Sequence, residues 1–479
     1  MKREHVLLLD RWGYDAYRHP DGRPYLDPDR YDITLVTLPD KAHGHRPGEV
    51  SRLVTADTSD SAQVLRALPA IQAGPPVDRI AAVTERLLVP AAAFREALAV
   101  HGLDVARTTL FRHKVLMKRH VAAGGVRTPE FTEISAPTEA APLLEKHGTI
   151  ILKPVDSWAA QGVHRVSSPA ALRLLERTGL GHPGPYQAEE FIDGTPCHVD
   201  SVVRAGRPVA AMASSYLDLL PALVPGDQRR SVAIDAGRAH DTLLAFNRQV
   251  LATMPWFSGV THLEVFLQAD GTPVFCEIAA RPGGAGVIPS FRHRHGVDLR
   301  QAALLGQLGL PLPRPREHQP AHRRATGWLV SYPADPARCR TPGQRPDADW
   351  LVRLTWLTDP SRTSPATVTA QGLAAATVCG PDQEAVTRRL AQVKAWLTGD
   401  TPTQPGSTVP DPARSDATVP VPVEADVTVP VPARLDTTAP VLAGPDAAIP
   451  VAAGPDTVVP VPAGPDAAAV VPAREDRSV

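Results

Sequence analysis

The chain is short of several residue types, and each shortage excludes something. Only four cysteines, Cys197, Cys276, Cys339 and Cys379, are scattered through 479 residues. Their spacing fits neither a disulfide framework nor a zinc knuckle, so reduced structural thiols are expected. No apolar run approaches the twenty residues needed to cross a bilayer, and the first residues have no charged-then-apolar leader. A soluble, cytoplasmic protein without a membrane partner is therefore expected. Charge of either sign is nearly balanced, at a net −1, which leaves no basic field to attract nucleic acid. No Gly-x-Gly-x-x-Gly follows the first apolar run, which argues against a dinucleotide site there.

Lysine is the most informative scarcity. Of 50 basic residues only seven are lysines: Lys2, Lys41, Lys114, Lys118, Lys146, Lys153 and Lys394. Where arginine is the default cation, a lysine at the end of an apolar strand invites a reason. Its compact charge on a flexible stem suits phosphate oxygens that move during a reaction. Lys153, in Ile151-Leu152-Lys153-Pro154, has that setting. Lys2, Lys41, Lys118, Lys146 and Lys394 are read as compositional drift.

At this length the chain exceeds one ordinary domain. Residues 1–105 alternate apolar runs (5–10, 32–38, 52–55 and 80–84) with helical patterns, which indicates a doubly wound parallel sheet of Rossmann-like form. Residues 106–190 read as a helix, a hairpin of strands 149–155 and 162–166, and another helix. Residues 191–318 add antiparallel strands, a helix near 237–253 and a second hairpin, and 319–400 read as a small mixed α/β segment closing on a helix from Asp382 to Leu397. The expected fold class is α/β overall, with an α+β core. Beyond Asp400 the composition changes: Asp416, Asp426, Asp436, Asp446, Asp456, Asp466 and Asp476 recur every ten residues among prolines, valines and alanines. Proline at that density without aromatic residues predicts an extended, disordered tail over 401–479, serving as a spacer or a docking segment.

The second hairpin carries the chemistry. Thr261-His262-Leu263-Glu264-Val265-Phe266 and Phe275-Cys276-Glu277-Ile278-Ala279-Ala280-Arg281-Pro282-Gly283-Gly284 flank an Asp-Gly turn, a strong hairpin signal. Pairing would bring Glu264 and Glu277 together on otherwise apolar strands. Two carboxylates there are costly unless a cation meets them, and divalent Mg²⁺ or Mn²⁺ prefers such oxygen donors. Arg281 beside a Gly-Gly turn offers a fixed guanidinium and bare backbone N–H groups, which stabilise developing negative charge.

These elements occur in a telling order. Lys114 precedes Gly125-Val126-Arg127-Thr128-Pro129; Lys153 precedes a small-residue loop ending at Gly162-Val163; Gln187-Ala188-Glu189-Glu190-Phe191-Ile192-Asp193-Gly194 follows; Glu264, Glu277 and Arg281 close the series. In this order and spacing the chain resembles the ATP-grasp superfamily, in particular its carboxylate–amine ligases, over about residues 106–310. The resemblance implies a pre-ATP-grasp domain at 1–105 and a two-part core divided near 190. It further implies that Lys114, Lys153 and the backbone before Gly162 hold the ATP phosphates. Glu189, Glu190, Ile192 and His198 or Asp200 would face adenine and ribose, Glu264 and Glu277 would bind Mg²⁺ or Mn²⁺, and Arg281 with Lys153 would act in catalysis. Two departures stand out. The phosphate loop carries Trp158, Ala159 and Ala160 where glycine and serine are usual, and Ala279 replaces an asparagine that the family frequently places two residues after the second glutamate.

The implied activity is ATP-dependent joining of a small carboxylic acid, an amino acid or metabolite, to an amine through an acylphosphate, releasing ADP and phosphate. Alternatives are a thiol or bicarbonate co-substrate, or a nucleotide-binding assembly protein whose catalysis has decayed. Partners are expected to be small molecules rather than nucleic acid, with a homodimer left open.

Overall fold

A computed structural model describes residues 2–156, 162–181, 184–218, 228–316, 325–363, 368 and 372–399. Strands β1 (Glu4–Leu9), β2 (Tyr31–Thr37), β3 (Arg52–Thr55) and β4 (Arg79–Ala82) form a parallel sheet of order β3-β2-β1-β4. Its apolar runs are continuous because both faces are covered. Val6, Leu8, Ile33, Leu35 and Ala81 enter one core, whereas Leu7, Leu9, Val36, Ile80 and Ala82 enter another. The first of these cores also holds Leu299, Ala302, Ala303 and Leu304 of the helix Leu299–Gln307, so the N-terminal sheet is packed directly onto that helix. Gln307 Oε1 reinforces that seam by accepting from the backbone N–H of Ala82 at 3.0 Å and from Arg95 Nη2 at 2.9 Å.

The next sheet is antiparallel and small. β5 (Phe131–Ile134), β6 (Ile150–Pro154), β7 (His164–Val166) and β8 (Tyr186–Glu190) lie in the order β5-β8-β6-β7. Alternation divides it cleanly: Ile150, Leu152, Tyr186 and Ala188 fill a core, leaving Lys153, Gln187 and Glu189 on the opposite face. Loop residues Trp158, Ala159 and Ala160 lie outside the described residues, as does the tail beyond Gly399.

The largest sheet contains β9 (Thr195–Arg204), β10 (Arg207–Tyr216), β11 (Gln228–Ala233), β12 (Gly259–Leu267), β13 (Pro273–Ala279), β14 (Ala325–Ser331), β15 (Leu351–Trp356) and β16 (Ala374–Gly380). Its order is β13-β12-β9-β10-β11-β14-β16-β15, antiparallel throughout. The segment 319–400, expected as a small mixed α/β segment, contributes strands that continue this sheet, because β14 bonds directly to β11. Its helix Gln383–Thr398 packs Val386, Leu390, Val393 and Leu397 against β14 and β16. The predicted β12–β13 hairpin closes as expected, with Asp270 accepting from the Thr272 N–H at 2.8 Å and Gly271 at φ +88°. All four cysteines are free. Among the described residues, no helix is long and apolar enough to cross a membrane.

Candidate active site

The cationic end of the site is built on one helix and two strands. The helix Lys114–Ala123 is capped by the His113 ring and anchored where the Lys114 N–H donates to the Val155 carbonyl at 2.8 Å. This places the start of the helix against the end of β6. Lys114 and Lys118 are four residues apart and so share a helix face. On β6 and β8, Lys153 pairs in register with Gln187, and Glu189 stands one step along the same face.

These residues form a buried cluster. Lys153 Nζ is 2.6 Å from one oxygen of Glu189, and Lys118 Nζ is 2.8 Å from the other. Lys118 also donates to Gln187 Oε1, and Gln187 Nε2 donates to Glu189, each at 3.2 Å. Burial works against all three charges. For Glu189 the two ammonium groups outweigh it and hold the carboxyl below its usual range. For Lys153 burial is outweighed by Glu189 and Glu277, and its pKa is raised. For Lys118 burial wins, with Lys153 opposing further, and the pKa falls to about 8. Buried charge is tolerated only when paired, and here one carboxylate serves two ammonium groups. An excess of positive charge is left facing the site.

The acidic end lies on β12 and β13. Glu264 and Glu277 are directly opposed, immediately before a register shift. Their side chains are 26% and 28% exposed, against 5–8% for Glu189, Lys153, Lys114 and His262, so they are open to solvent. Lys114 Nζ stands 3.4 Å from Glu277, and the Tyr216 hydroxyl donates to Glu264 at 3.1 Å. Burial would raise the Glu277 pKa, but Lys114, Lys153 and Arg281 bring it down to about 2. A neighbouring thiol goes the other way: burial drives Cys276 up to about 12 despite Lys153, so it offers no thiolate nucleophile. Two accessible carboxylates on one face are a fitting donor set for Mg²⁺ or Mn²⁺.

Arg281 follows at the end of β13. Its Nε is 2.6 Å from Glu85 Oε2, and its Nη1 donates to the Pro282 carbonyl at 2.9 Å. Glu85, which follows β4 in the N-terminal sheet, also takes Arg112, whose other nitrogen donates to the Asp156 carbonyl at 2.9 Å. Burial alone would lower the Arg281 pKa, but Glu85 and Glu277 raise it, and the guanidinium stays charged. After it the chain must be bare. A Cβ on Gly283 would come within 2.7 Å of both Asp200 Oδ1 and His262 Nδ1, and one on Gly286 within 2.1 Å of Trp328. Gly284 faces open space, and the helix Val287–His295 begins three residues later.

The expected site residues thus divide. Lys114, Lys153, Glu189, Glu264, Glu277 and Arg281 converge. Glu190 does not: alternation turns it to the far side of β8, where it accepts from Arg127 at 3.1 Å and from the Glu130 N–H at 3.0 Å. His198 is wholly buried between Asp200 at 2.7 Å and Ser231 at 2.8 Å, so its ring nitrogens are committed to protein partners. Ile192 is buried, and Gly162, at φ +68°, follows residues 157–161, which are not described. Lys118, dismissed on composition, is fully buried on Glu189. Its spacing from Lys114 was the overlooked signal. The alternations His198-x-Asp200 and His262-x-Glu264 equally marked side chains on one sheet face. Glu85 had no local signal.

No family model matches the chain. Among curated proteins it is 26% identical over 137 residues to the D-alanine–D-alanine ligase of Anaeromyxobacter dehalogenans, a match covering 28% of this chain and 44% of that one. The chain thus spans less than half of that relative's length. Among solved structures it resembles the L-amino acid ligase of Bacillus licheniformis, with a TM-score of 0.63, 17% identity, and coverage of 83% of this chain and 98% of that one. It also resembles N5-carboxyaminoimidazole synthetase from Staphylococcus aureus complexed with ADP, with a TM-score of 0.59, 11% identity, and coverage of 82% and 98%.

Proposed function

We propose that the chain is an enzyme of the ATP-grasp type, an ATP-dependent ligase joining the carboxyl group of an amino acid or similar small acid to an amine. The observation that carries this reading is the Lys114–Glu277 contact of 3.4 Å. It joins a cluster of buried ammonium groups, suited to phosphate oxygens, to a carboxylate pair suited to a divalent cation. Both ends are needed when a phosphoryl group leaves a nucleotide for an acid. Resemblance to two amino acid ligases supports the substrate class, and a neighbour that holds ADP supports the nucleotide.

In this mechanism Lys114 and Lys153 hold the nucleotide phosphates, with Glu189 keeping Lys153 charged and in place. A carboxylate oxygen of the acid attacks the γ-phosphorus as the bond to the ADP oxygen breaks, giving an acylphosphate. The amine nitrogen then attacks the acyl carbon, the carbon–oxygen bond to phosphate breaks, and the amine proton leaves with the departing phosphate or solvent. Arg281 and the backbone at Gly283 and Gly284 face the oxyanion that forms in between. Glu264 and Glu277 would hold Mg²⁺ or Mn²⁺, which when bound neutralises phosphate charge. Positioning and electrostatics account for most of the barrier reduction.

The test is a screen of amino acids and small acids, singly and in pairs, with ATP and Mg²⁺. Release of ADP that depends on an acid, and a hydroxamate when hydroxylamine replaces the amine, is the expected result. No acid-dependent ADP from any pair, with nucleotide bound, would overturn the ligase reading.

A further inference from the structure

On the site face of the large sheet, side chains stand in two register rows. His198 is opposite Glu264, which is opposite Glu277; Asp200 is opposite His262, which is opposite Ala279. Directly opposed residues share a sheet face and touch. In the second row, a methyl group therefore occupies the position where the ATP-grasp resemblance leads one to expect a donor. Its immediate neighbour is His262.

The imidazole of His262 is held from behind. Its Nδ1 is 2.8 Å from Asp200 Oδ1, and the other Asp200 oxygen is 2.7 Å from His198 Nδ1. His198 continues to the Ser231 hydroxyl at 2.8 Å, and that hydroxyl donates to the Ser215 carbonyl at 3.0 Å. Gly283 packs against the Nδ1 side so closely that any side chain there would strike both Asp200 and His262. The ring is thereby pinned with Nε2 facing Glu264 Oε1 at 3.4 Å. A histidine whose Nδ1 is held by a carboxylate and whose Nε2 is presented outward is arranged as metal-bound histidines are.

We propose that His262 Nε2 is a ligand of the divalent cation at this site, beside Glu264, and supplies the donor that Ala279 lacks. The inference rests on the ligase reading above. The spacing suits two ligands of one ion: donors about 2.1 Å from a cation lie about 3.0 Å apart at a right angle and about 3.4 Å apart at the tetrahedral angle. The Glu264 side chain is 26% exposed and that of His262 8%, whereas Asp200 and His198 have none. The inner pair thus orients and the outer pair binds. An imidazole donor moves a site's preference away from Mg²⁺ toward Mn²⁺ or Co²⁺, which accept nitrogen more readily.

The experiment is pulsed EPR on Mn²⁺ bound to the full chain with ADP, prepared unlabelled and with ¹⁵N-histidine. The expected result is a ¹⁴N modulation that converts to ¹⁵N on labelling and disappears in His262→Asn. That variant should also bind Mn²⁺ about 10- to 100-fold more weakly, with Mg²⁺ affinity changed by less than about threefold. Bound Mn²⁺ with no histidine modulation would overturn the inference and leave the ligase reading standing. No bound Mn²⁺ at all would overturn both. The isotope comparison uses the unmutated chain and so does not depend on the variant folding.

Discussion

Lys153 and Glu189 meet diagonally across β6 and β8, with Nζ 2.6 Å from Oε1, and Lys118 takes the other oxygen of the same carboxylate at 2.8 Å. Glu189 is thus the common counter-ion of two buried ammonium groups. Its presence explains how a face of the small sheet can hold positive charge in readiness for an anion.

Lys153→Met tests that role. Charge-assisted hydrogen bonds contribute about 1.5–3 kcal/mol each, so ATP affinity should fall roughly 10- to 150-fold. Isothermal titration with ATP and Mg²⁺ checks it. Unchanged ATP affinity would remove Lys153 from the phosphate site.

Lys118 makes a pH prediction. Its pKa of about 8 in the folded chain lies below the ordinary 10.5, because burial disfavours its charge. Between those values the unfolded state binds more protons, so this group makes stability rise with pH. Compared with Lys118→Met, the parent chain should gain up to about 3 kcal/mol between pH 8 and 10.5. Urea unfolding of both proteins at several pH values measures the difference. A difference that stays flat or falls would contradict the burial of a titrating lysine.

Glu277→Gln keeps the shape of the side chain and removes its charge beside Lys114 and opposite Glu264. Turnover should drop about 100-fold or more, and Mg²⁺-dependent nucleotide binding should weaken with it. Full activity in this variant would exclude Glu277 from the metal site.

Arg281 and Glu85 are coupled across the seam between the N-terminal sheet and the core. Arg281→Lys, which loses the planar fork, should lower kcat about 100-fold while ATP affinity changes by less than about twofold. Glu85→Gln, which retains a hydrogen-bond acceptor, should lower kcat by about tenfold. Steady-state kinetics on both variants separates the terms. An effect on ATP KM alone would show that Arg281 serves nucleotide binding.

What could be read ahead of the structure depended on range. The Glu264–Glu277 pairing was legible because a short turn and a two-residue period fix register within one hairpin. Lys153 was legible because it ends an apolar strand whose neighbours alternate into a core. Glu190 shows the same period from the other side, since one step along β8 turns its side chain to the opposite face. Lys118 was hidden because composition says nothing about burial, although its four-residue offset from Lys114 was visible. Glu85 reaches Arg281 from 196 residues away, and β14 joins β11 across the gap between residues 233 and 325. Contacts of that range leave no local pattern. The ten-residue repeat after Asp400 lies outside the described residues and stays a reading of composition.

The most direct test of the central claim follows oxygen. With an amino acid labelled with ¹⁸O in its carboxyl group, ATP and an amine partner accepted in the screen, mass spectrometry of the products locates the label. The account predicts ADP, an amide, and one ¹⁸O atom in inorganic phosphate for each bond formed. Label in AMP, with pyrophosphate released, would contradict it.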